Sequence, residues 1–493
     1  MAVQLCDLFE FWDFDSEIGT QIVTGLSADS RKIQKGFIFA AISGEAADGH
    51  DYIDQAIANG ALAIIGEKAP SASLSCPYIH VENARLAFAK ACARFWPKRP
   101  SLHAAITGTN GKTSIVEFLR QIWQSASWNA ASCGTLGVRT PISGLSLDAP
   151  SLTTLGPDHL FPVIQQLARS GIRCLAVEAS SHGLEQDRLS ALDIHVAGFT
   201  NLSRDHLDYH GDMDSYFAAK ARLFTELLPD GAAAAINIDD DYGRKLLTLI
   251  KDRPLVIKTI GHDESADLQI LKLAVTDFGY DCHIRYAGET YHLPIALQGR
   301  FQVENALLAA LMAHLSGLPV QDSLGALPRL KPIAGRMQPV SGHPQGAKIL
   351  VDYAHTPDAL DNALTQLRGD TKGRLLVLFG CGGDRDSGKR AMMGQVARQK
   401  ADITYITDDN PRSEDPALIR AQIIEGHNDA FIEIGDRKKA IETAIADLTE
   451  NDTLLIAGKG HETSQMIGHE TLPFDDAAIA RAALTFLPKE TGA

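Results

Sequence analysis

The segment LHAAITGTNGKTSIVEFLRQIW, residues 102–123, carries the strongest structural signal in the chain. LHAAIT has the composition of a short buried strand, and TSIVEFLRQIW places its apolar residues at helical spacing. Between them lies TGTNGKT, a glycine-rich turn whose backbone N–H groups can surround phosphate oxygens at the start of a helix. The order of strand, glycine loop and helix therefore predicts a phosphate-binding loop in a nucleotide-binding domain.

This loop departs from the usual GxxxxGK[ST] pattern, because Ile106 stands where the first glycine would be. Gly108 and Gly111 still allow the backbone to close around phosphate, Lys112 adds a positive charge, and Thr113 offers a hydroxyl to magnesium. A turn that merely links strand to helix is the structural alternative. The GKT at the start of a helix favours nucleotide binding.

Length and charge limit the possible partners. A chain of 493 residues is too long for one hydrophobic core, and its 45% hydrophobic content is that of a globular protein. The net charge of −15, from 46 Lys+Arg against 61 Asp+Glu, argues against a nucleic-acid partner, which requires a broad basic face. We therefore expect anions to be bound locally and small molecules to be the partners.

The cysteines and apolar stretches predict a soluble, cytoplasmic protein. The seven cysteines are odd in number and form no CxxC pair. The acidic start MAVQLCDLFEFWDFDSE has no signal-peptide pattern, and the longest apolar stretch, NALLAALMAHLSGLPV, is shorter than the ~20 residues of a membrane span. We expect no membrane insertion and a monomer.

The pattern of apolar strands, helices and linkers along the chain predicts three α/β domains, at residues 1–98, 99–334 and 335–493. The first contains the strands FIFAAI and ALAIIG and ends at the linker WPKRPS. The second contains the phosphate loop and the strands CLAVEAS and VAGFTNL of a mostly parallel sheet. The third alternates strands and helices, so we expect a Rossmann-like, doubly wound domain. Two of its helices are expected to begin at a cap followed by proline, at Thr356-Pro357 and Asp415-Pro416.

Motifs at several places resemble one enzyme family. TGTNGKT, VEASSHGLEQDR (residues 177–188) and TNLSRDHLDYHG (residues 200–211) are similar to segments of the Mur ligase family and its folylpolyglutamate synthase relatives. This resemblance implies an ATP-dependent amide-forming ligase, in which a carboxylate is phosphorylated and an amine displaces the phosphate. It also implies an N-terminal uridine-nucleotide domain, a central P-loop ATPase-like domain and a C-terminal domain for the amino acid.

A magnesium site is expected beside the loop. Glu178 and His206 each follow a strand, so they could supply an oxygen and a nitrogen ligand at the carboxyl edge of the sheet. Taken singly, each would more often be structural. By resemblance Lys220 is the family's carbamylated lysine, which holds Mg²⁺ together with Glu178, His206 and Thr113 and acts with Lys112 in catalysis. A solvated helical lysine is the alternative for Lys220.

The resemblance also implies an ATP site and a uridine-substrate site. The residues expected to bind ATP are Thr107, Gly108, Thr109, Asn110, Gly111, Lys112, Thr113, Ser114, Asn305, Arg336, Asp352 and His355. The family often has Asn where Gln302 stands, and Asn305 could instead be a helix cap or a surface residue. The residues expected to bind the UDP-linked substrate are Ala28, Ser30, Glu45, Ala46, Ala47, Leu152, Thr153, Thr154, Ser180, Gln186 and Arg188.

The third domain is expected to bind the acceptor amino acid. DNPR resembles the signature of family members that add meso-diaminopimelate, although Asp409, Asn410 and Pro411 also make a plausible tight turn. The implied acceptor residues are Arg385, Asp409, Asn410, Pro411, Arg412, Gly458 and Glu462. The expected reaction adds meso-diaminopimelate to the D-glutamate γ-carboxylate of a UDP-N-acetylmuramoyl dipeptide, with ATP as co-substrate and Mg²⁺ as cofactor.

Three alternatives remain open: a lysine-adding relative, a folylpolyglutamate synthase and an ATP-gated binding protein without catalysis. The arginine of DNPR argues against the first, and the N-terminal uridine pattern against the second. The loop lysine and the expected magnesium ligands argue against the third.

Overall fold

The computed structural model describes residues 3–9, 12, 14–44, 47–70, 73–145, 147, 149–150, 152–276, 278–425 and 430–487. Two compact units divide the chain. The first comprises Met1–Gln269 with Leu308–Leu324, and the second comprises Ile270–Leu307 with Gly325–Ala493. The predicted α/β class is confirmed, whereas the three domain boundaries stay a prediction.

A four-stranded parallel sheet forms the amino-terminal part of the first unit, in the order β3-β4-β5-β6. Its elements are strands β1 (Val3–Gln4), β2 (Ile22–Val23), β3 (Gly25–Ser27), β4 (Phe37–Ala41), β5 (Ala63–Gly66) and β6 (Tyr78–His80), and helices α1 (Leu5–Leu8), α2 (Ser16–Gly19), α3 (Ile53–Ala58) and α4 (Ala84–Phe95). Helix α4 begins after Asn83, whose side chain accepts from the Leu86 N–H, and it buries an alanine-rich face.

The central sheet of the first unit carries the phosphate loop. Its strands are β7 (Leu102–Thr107), β8 (Ala130–Gly134), β9 (Gly137–Arg139), β10 (Cys174–Glu178), β11 (Val196–Phe199), β12 (Ala233–Asn237), β13 (Val256–Gly261) and the start of β14 (Leu268–Thr276). Its helices are α5 (Lys112–Ser125), α6 (Pro157–Arg169), α7 (Ser181–Glu185), α8 (Leu207–His210), α9 (Met213–Arg222), which continues into a π-helical turn (Leu223–Leu227), and α10 (Asp241–Ile250).

In this sheet the order is β9-β8-β10-β7-β11-β12-β13-β14, and the pairings from β8 to β14 are parallel. Every residue of β10 and of β8 is buried. Near-continuous apolar runs of this kind are typical of strands covered by helices on both faces. The carboxyl ends of β10, β7 and β11 consequently lie side by side at one edge.

The second unit contains a doubly wound sheet in the order β17-β18-β22-β19-β20-β21, parallel from β18 to β21. The remaining strands of the chain are β15 (Gly279–Tyr286), β16 (Glu289–Ile295), β17 (Gln338–Pro339), β18 (Lys348–Val351), β19 (Leu375–Phe379), β20 (Ile403–Ile406), β21 (Ile432–Glu433), β22 (Thr453–Ile456), β23 (Ser464–Ile467) and β24 (Glu470–Pro473). The remaining helices are α11 (Arg300–Leu315), α12 (Val320–Gly325), α13 (Pro357–Asp370), α14 (Gly388–Lys400), α15 (Pro416–Ile424), α16 (Arg437–Ala446) and α17 (Asp476–Leu484).

Both helix starts predicted in this part of the chain are confirmed. The Thr356 side chain accepts from the Ala359 N–H before α13, and the Asp415 side chain accepts from the Ala417 N–H before α15. Pro357 and Pro416 occupy the first helical position, where no N–H is needed.

The cysteines are free thiols, and five of the seven are buried. Burial raises the pKa of Cys133 and of Cys174 to about 12. Within the described residues, no helix has both the length and the apolar character needed to cross a bilayer.

Candidate active site

The phosphate loop is held by the two residues that follow strand β11. The Thr109 N–H donates to the Asn201 carbonyl at 2.8 Å, and the Asn110 N–H donates to Asn201 Oδ1 at 3.0 Å. The Thr200 hydroxyl donates to the Asn110 carbonyl at 2.6 Å. Gly108 has a φ of 143°, and a Cβ there would lie 1.9 Å from Thr200 Oγ1. Only glycine therefore fits at this position of the loop.

Two lysines converge on the loop backbone. Lys112 Nζ donates to the carbonyl oxygens of Gly108 and Thr109 at 2.9 and 2.7 Å, and Lys220 Nζ donates to the Gly108 carbonyl at 2.8 Å. Lys220 is 1% exposed. Its burial, and then the nearby Lys112 charge, hold the pKa of Lys220 well below its usual value. Burial therefore favours the neutral Lys220 amine, which is the form that can react with carbon dioxide.

Glu178 lies at the end of β10, beside the loop. In the parallel register of β10 with β7 it pairs with Ile106, so it stands at the strand end that leads into the loop. Its carboxylate is 1% exposed and accepts from the Thr135 N–H at 2.8 Å and the Thr135 hydroxyl at 3.1 Å. A Cβ at Gly134 would come within 2.1 Å of Glu178 Oε1. The space around this carboxylate therefore requires glycine at position 134.

His206 follows β11 and has an unusual backbone. Its φ is 52°, in the left-handed region, and its Nε2 lies 3.5 Å from Asp205 Oδ2. Burial lowers the pKa of His206; Asp205 opposes this shift, whereas Lys112 and Lys220 add to it. The ring of His182, whose pKa burial lowers to about 4, lies 4.9 Å from the His206 ring. Neutral imidazole, the form that binds metals, is thereby favoured.

These residues fit a magnesium ion. The carboxylate of Glu178, the imidazole of His206, the hydroxyl of Thr113 and a carbamate formed on Lys220 would give mainly oxygen donors, which Mg²⁺ prefers. The observation that supports the fit is the burial of Lys220 beside the phosphate loop: burial favours its neutral amine, and addition of carbon dioxide would turn that amine into an oxygen ligand.

A hydrogen-bonded network extends from Glu178 to the residues predicted for the uridine substrate. The Thr154 hydroxyl donates to the Glu178 carbonyl at 2.7 Å and accepts from the Ser180 N–H at 2.9 Å. Arg188 donates to the Thr154 carbonyl and to Gln186 Oε1, both at 2.7 Å. The structure thus brings Thr154, Ser180, Gln186 and Arg188 together around the end of β10.

Arg85 adds a positive charge that the sequence analysis missed. It lies in the first turn of α4, and its charge is the second cause, after burial, of a lowered pKa at Arg188. The two arginines concentrate positive charge in this part of the first unit, which would favour an anionic group of a substrate. A positive side chain in the first turn of a helix interacts unfavourably with the helix dipole. The position of Arg85 at a predicted helix start was therefore the sequence feature that could have marked it as functional.

The remaining predicted uridine-site residues are placed as follows. Ser30 is buried, and its hydroxyl donates to Gln55 Oε1 at 2.8 Å. Ala28 follows β3, the Ala47 carbonyl accepts from the Gly44 N–H, and Thr153 Oγ1 lies 3.3 Å from Thr135 Oγ1. Leu152 is exposed. Glu45 and Ala46 lie outside the described residues.

Four residues predicted to contact ATP lie in the second unit. Asp352 is buried and accepts from the Met337 and Ala354 N–H groups at 2.7 and 2.8 Å, and burial raises its pKa against the effect of Arg336. The Arg336 guanidinium stacks 4.5 Å from the Tyr353 ring centroid. The other two are His355, whose Nδ1 lies 2.9 Å from the Tyr353 carbonyl, and Asn305, a buried residue of α11.

Gln302 precedes Asn305 by about one helical turn on α11. It is buried, and its Oε1 has no hydrogen-bond partner among the described residues. A buried acceptor of this kind calls for a donor.

The predicted acceptor residues form a polar cluster beside the β23–β24 hairpin. The Asn410 side chain accepts from Lys459 Nζ at 2.9 Å and from the Met466 N–H at 3.0 Å, and it donates to Glu462 Oε2 at 2.9 Å. Lys459, which the sequence analysis did not single out, is fully buried and also pairs with Glu462 at 3.3 Å. Lys459 therefore fixes both Asn410 and Glu462.

Arg412 is held by its backbone and by one guanidinium nitrogen. Its φ is 51°, its N–H donates to the Met466 carbonyl at 3.1 Å, and its Nη1 donates to the Gly383 carbonyl at 2.6 Å. A Cβ at Gly382 would lie 2.9 Å from Arg412 Nη1 and 3.8 Å from Arg385 Cγ. Arg385 and Arg412 therefore approach Gly382 together.

The other members of the DNPR segment are buried. Pro411 is buried, and the Asp409 carbonyl accepts from Gln465 Nε2 at 2.7 Å. A Cβ at Gly458 would lie 2.8 Å from Asp409 Oδ2, and Gly458 has a φ of 105°. Glycine at position 458 thus allows the backbone that follows β22 to pack closely against the Asp409 carboxylate.

Comparisons with known proteins agree along the chain. Residues 22–96 match the Mur ligase family catalytic domain, residues 106–313 the Mur ligase middle domain, and residues 335–460 the Mur ligase glutamate ligase domain. The UDP-N-acetylmuramoyl-L-alanyl-D-glutamate–2,6-diaminopimelate ligase of Brucella melitensis biotype 1 is 44% identical over 469 residues, which are 95% of this chain and 95% of that protein. The ligase of the same name from Bradyrhizobium diazoefficiens is 46% identical over 94% of this chain and 95% of its own.

Solved structures give the same result. A UDP-N-acetylmuramoyl-L-alanyl-D-glutamate–2,6-diaminopimelate ligase superposes with a TM-score of 0.72 at 33% identity, covering 98% of this chain and 99% of that chain. Mycobacterium tuberculosis folylpolyglutamate synthase complexed with ADP superposes with a TM-score of 0.63 at 17% identity, covering 81% of this chain and 93% of that chain. The second likeness shows the fold alone.

Proposed function

The chain belongs to the Mur ligase family, and we propose that it uses ATP to join meso-diaminopimelate to the D-glutamate γ-carboxylate of UDP-N-acetylmuramoyl-L-alanyl-D-glutamate. The structural observation that carries the proposal is the pair of lysines that donate to the Gly108 carbonyl, of which Lys220 is almost fully buried. A phosphate loop alone would serve any nucleotide enzyme. A buried lysine beside it, whose neutral form burial favours, supports the carbamate chemistry that the family resemblance implies.

The first half of the reaction transfers the ATP γ-phosphate to the substrate carboxylate. Lys112 and the N–H groups at the start of α5 stabilise the charge on the transferring phosphate, because they are oriented before the reaction begins. Arg188 and Arg85 supply positive charge for the anionic groups of the uridine substrate, and Thr154 and Ser180 orient it from the end of β10. Mg²⁺, held by Glu178, His206, Thr113 and carbamylated Lys220, would neutralise phosphate charge when bound.

The residues proposed for ATP are the loop residues Thr107 to Ser114 and, by the family resemblance, Asn305, Arg336, Asp352 and His355. The Tyr353 ring, against which Arg336 stacks, keeps that guanidinium in one orientation. Gln302 Oε1 is a buried acceptor that suits an amino group such as the exocyclic amine of adenine.

The second half is attack of the diaminopimelate amine on the acyl phosphate, through a tetrahedral intermediate. Diaminopimelate carries a carboxylate on its side-chain end, and Arg412 and Arg385 can receive it through charge-assisted hydrogen bonds. Glu462, held by Lys459 and Asn410, provides a carboxylate for the ammonium group of the same amino acid.

Product analysis tests the proposal. The protein is incubated with the UDP-muramoyl dipeptide, Mg²⁺, ATP and a panel of amino acids, and the products are identified by mass. We expect a product only when ATP and the dipeptide are both present, with the mass of the diaminopimelate adduct. A lysine adduct formed at a comparable rate would assign the lysine-adding reaction instead, and phosphate release without any adduct would contradict ligase activity.

A further inference from the structure

Strand β15 and strand β16 form an antiparallel hairpin with one buried and one exposed face. On the strand Gly279–Tyr286 the side chains of Tyr280, Cys282 and Ile284 are buried, while those between them are partly exposed. Successive side chains of a strand alternate between the two faces of a sheet. Asp281 and His283 therefore share the exposed face.

A third polar side chain completes a cluster on that face. His292 of β16 pairs directly with His283 across the hairpin, and the two rings lie 4.6 Å apart. Both imidazoles turn a nitrogen toward Asp281: His283 Nε2 lies 3.5 Å from Asp281 Oδ2, and His292 Nε2 contacts Asp281 Oδ1. One ligand atom of each residue lies within 4.8 Å of the other two.

This arrangement matches the donor set of a transition metal. Zinc takes imidazole nitrogen and carboxylate oxygen at about 2.0–2.2 Å in tetrahedral geometry, which separates neighbouring ligand atoms by about 3.4 Å. The three side chains are 36 to 59% exposed, so small rotations can bring their donor atoms to that spacing. Two imidazoles with one carboxylate favour Zn²⁺, Ni²⁺ or Cu²⁺ over Mg²⁺, which prefers a set of mainly oxygen donors.

We propose that Asp281, His283 and His292 form a surface binding site for one divalent transition-metal ion of the Zn²⁺ class, which ties β15 to β16. The three protein ligands leave the fourth tetrahedral position to water. The ion stabilises the hairpin by mass action, because it binds the paired strands and not the separated ones. The site uses none of the residues assigned to the ligase reaction.

Titration with ZnCl₂ tests this site on the full chain. Excess Mg²⁺ and ADP are kept present to occupy the phosphate-loop site, and the wild type is compared with the His283→Ala/His292→Ala double variant. We expect the double variant to bind one Zn²⁺ fewer, or with at least ~10-fold lower affinity. The control is His469→Ala, which removes an exposed histidine from the β23–β24 turn. Equal stoichiometry and affinity in wild type and double variant would overturn the proposal.

Two further measurements guard against a folding artefact. Asp281→Asn keeps the shape of the side chain and should also weaken zinc binding, while its thermal unfolding without metal stays that of the wild type. Zinc should raise the melting temperature of the wild type and not that of either ligand variant. Anomalous scattering at the zinc edge should give a peak among the three side chains, and a zinc-soaked crystal without that peak would refute the site.

Discussion

Lys112 and Lys220 donate hydrogen bonds to the same acceptor, the carbonyl oxygen of Gly108, from 2.9 and 2.8 Å. Two full positive charges beside one carbonyl oxygen repel each other, and Lys220 is the one shielded from water. Burial therefore lowers the pKa of Lys220, and the two lysines should respond to mutation in different ways.

Lys220→Ala should abolish amide formation, because the carbamate oxygens that we propose for magnesium are lost. A short carboxylic acid such as acetate should restore part of the activity by supplying oxygens in the vacated space. Product formation is measured with and without acetate. The control is Lys245→Ala, an exposed lysine of the neighbouring helix α10 that pairs with Asp214. An active Lys220→Ala variant, or a wild type that takes up no ¹³C-labelled carbon dioxide, would remove the carbamate from the reaction.

Lys112→Ala should lower kcat by at least ~100-fold, because charge on the transferring phosphate is no longer stabilised. Unlike Lys220→Ala, this variant should not respond to acetate. Single-turnover formation of ADP separates the phosphoryl step from later ones. Near-normal turnover would place Lys112 outside the chemistry.

Arg412→Lys should reduce the use of diaminopimelate far more than the affinity for ATP, because a lysine ammonium cannot form the two parallel bonds of a guanidinium. In the wild type, bound L-lysine would offer the arginine no carboxylate in exchange for the water that it displaces, so we expect discrimination against L-lysine of at least ~100-fold in kcat/KM. Competition between the two amino acids at matched concentrations measures the ratio. Arg398→Lys, an exposed change on α14, is the control. Comparable rates with both amino acids would return the lysine-adding reaction to first place.

Lys459→Met should raise KM for the acceptor amino acid about 10-fold or more while KM for ATP stays unchanged. The reason is positional: Lys459 holds Asn410 and Glu462, and removing one partner of a buried pair leaves the others unsatisfied. A purely structural role would instead lower the melting temperature and weaken all substrates together. KM values for the three substrates, measured beside the unfolding temperature, distinguish these outcomes.

His103 should make folding sensitive to mild acid. Burial lowers the pKa of His103 from its ordinary value of 6.5 to about 4, and its Nδ1 lies 3.0 Å from the Asp193 carbonyl. Above pH 6.5 the His103 imidazole is unprotonated in both the folded and the unfolded protein, so its titration does not affect the free energy of unfolding. Between pH 6.5 and 4 the unfolded protein binds a proton at His103 and the folded protein does not. Stability should therefore fall as pH falls through that window, by about 3 kcal/mol in total.

The measurement is urea unfolding between about pH 7 and pH 4, which spans the two pKa values of His103. His103→Asn keeps a donor for the Asp193 carbonyl and removes the titration, so its free energy of unfolding should depend less steeply on pH. Parallel curves for wild type and variant would show that His103 does not cause the acid sensitivity.

Local sequence patterns predicted the bounds of an element correctly where the residues that determine those bounds are close in sequence. β7 has the bounds expected from LHAAIT, and α13 and α15 begin at the proline that follows their caps. The hairpin of β15 and β16 was not predicted. Its polar residues alternate with buried ones over only a few positions, and the pairing partner that stabilises each strand is not visible in the pattern itself.

The site shows the same division between local and distant information. Lys112 follows from its motif, whereas Thr135 acts on Glu178 from 43 positions away and Lys459 acts on Asn410 from 49 positions away. The sequence alone does not distinguish a buried lysine from an exposed one, because burial depends on the whole fold. The roles proposed for the site residues, the domain boundaries and the monomeric state stay predictions.

Gly108 and Gly134 limit the mutations by which this protein could become resistant to an inhibitor. A side chain at position 108 would collide with Thr200 Oγ1, and one at position 134 with Glu178 Oε1. A replacement at position 108 should therefore distort the phosphate loop, and one at position 134 should displace the Glu178 carboxylate, so both should lower activity. A compound that draws its affinity from the backbone at these two glycines would leave few routes of mutational escape, unlike one that relies on exposed side chains such as Leu152.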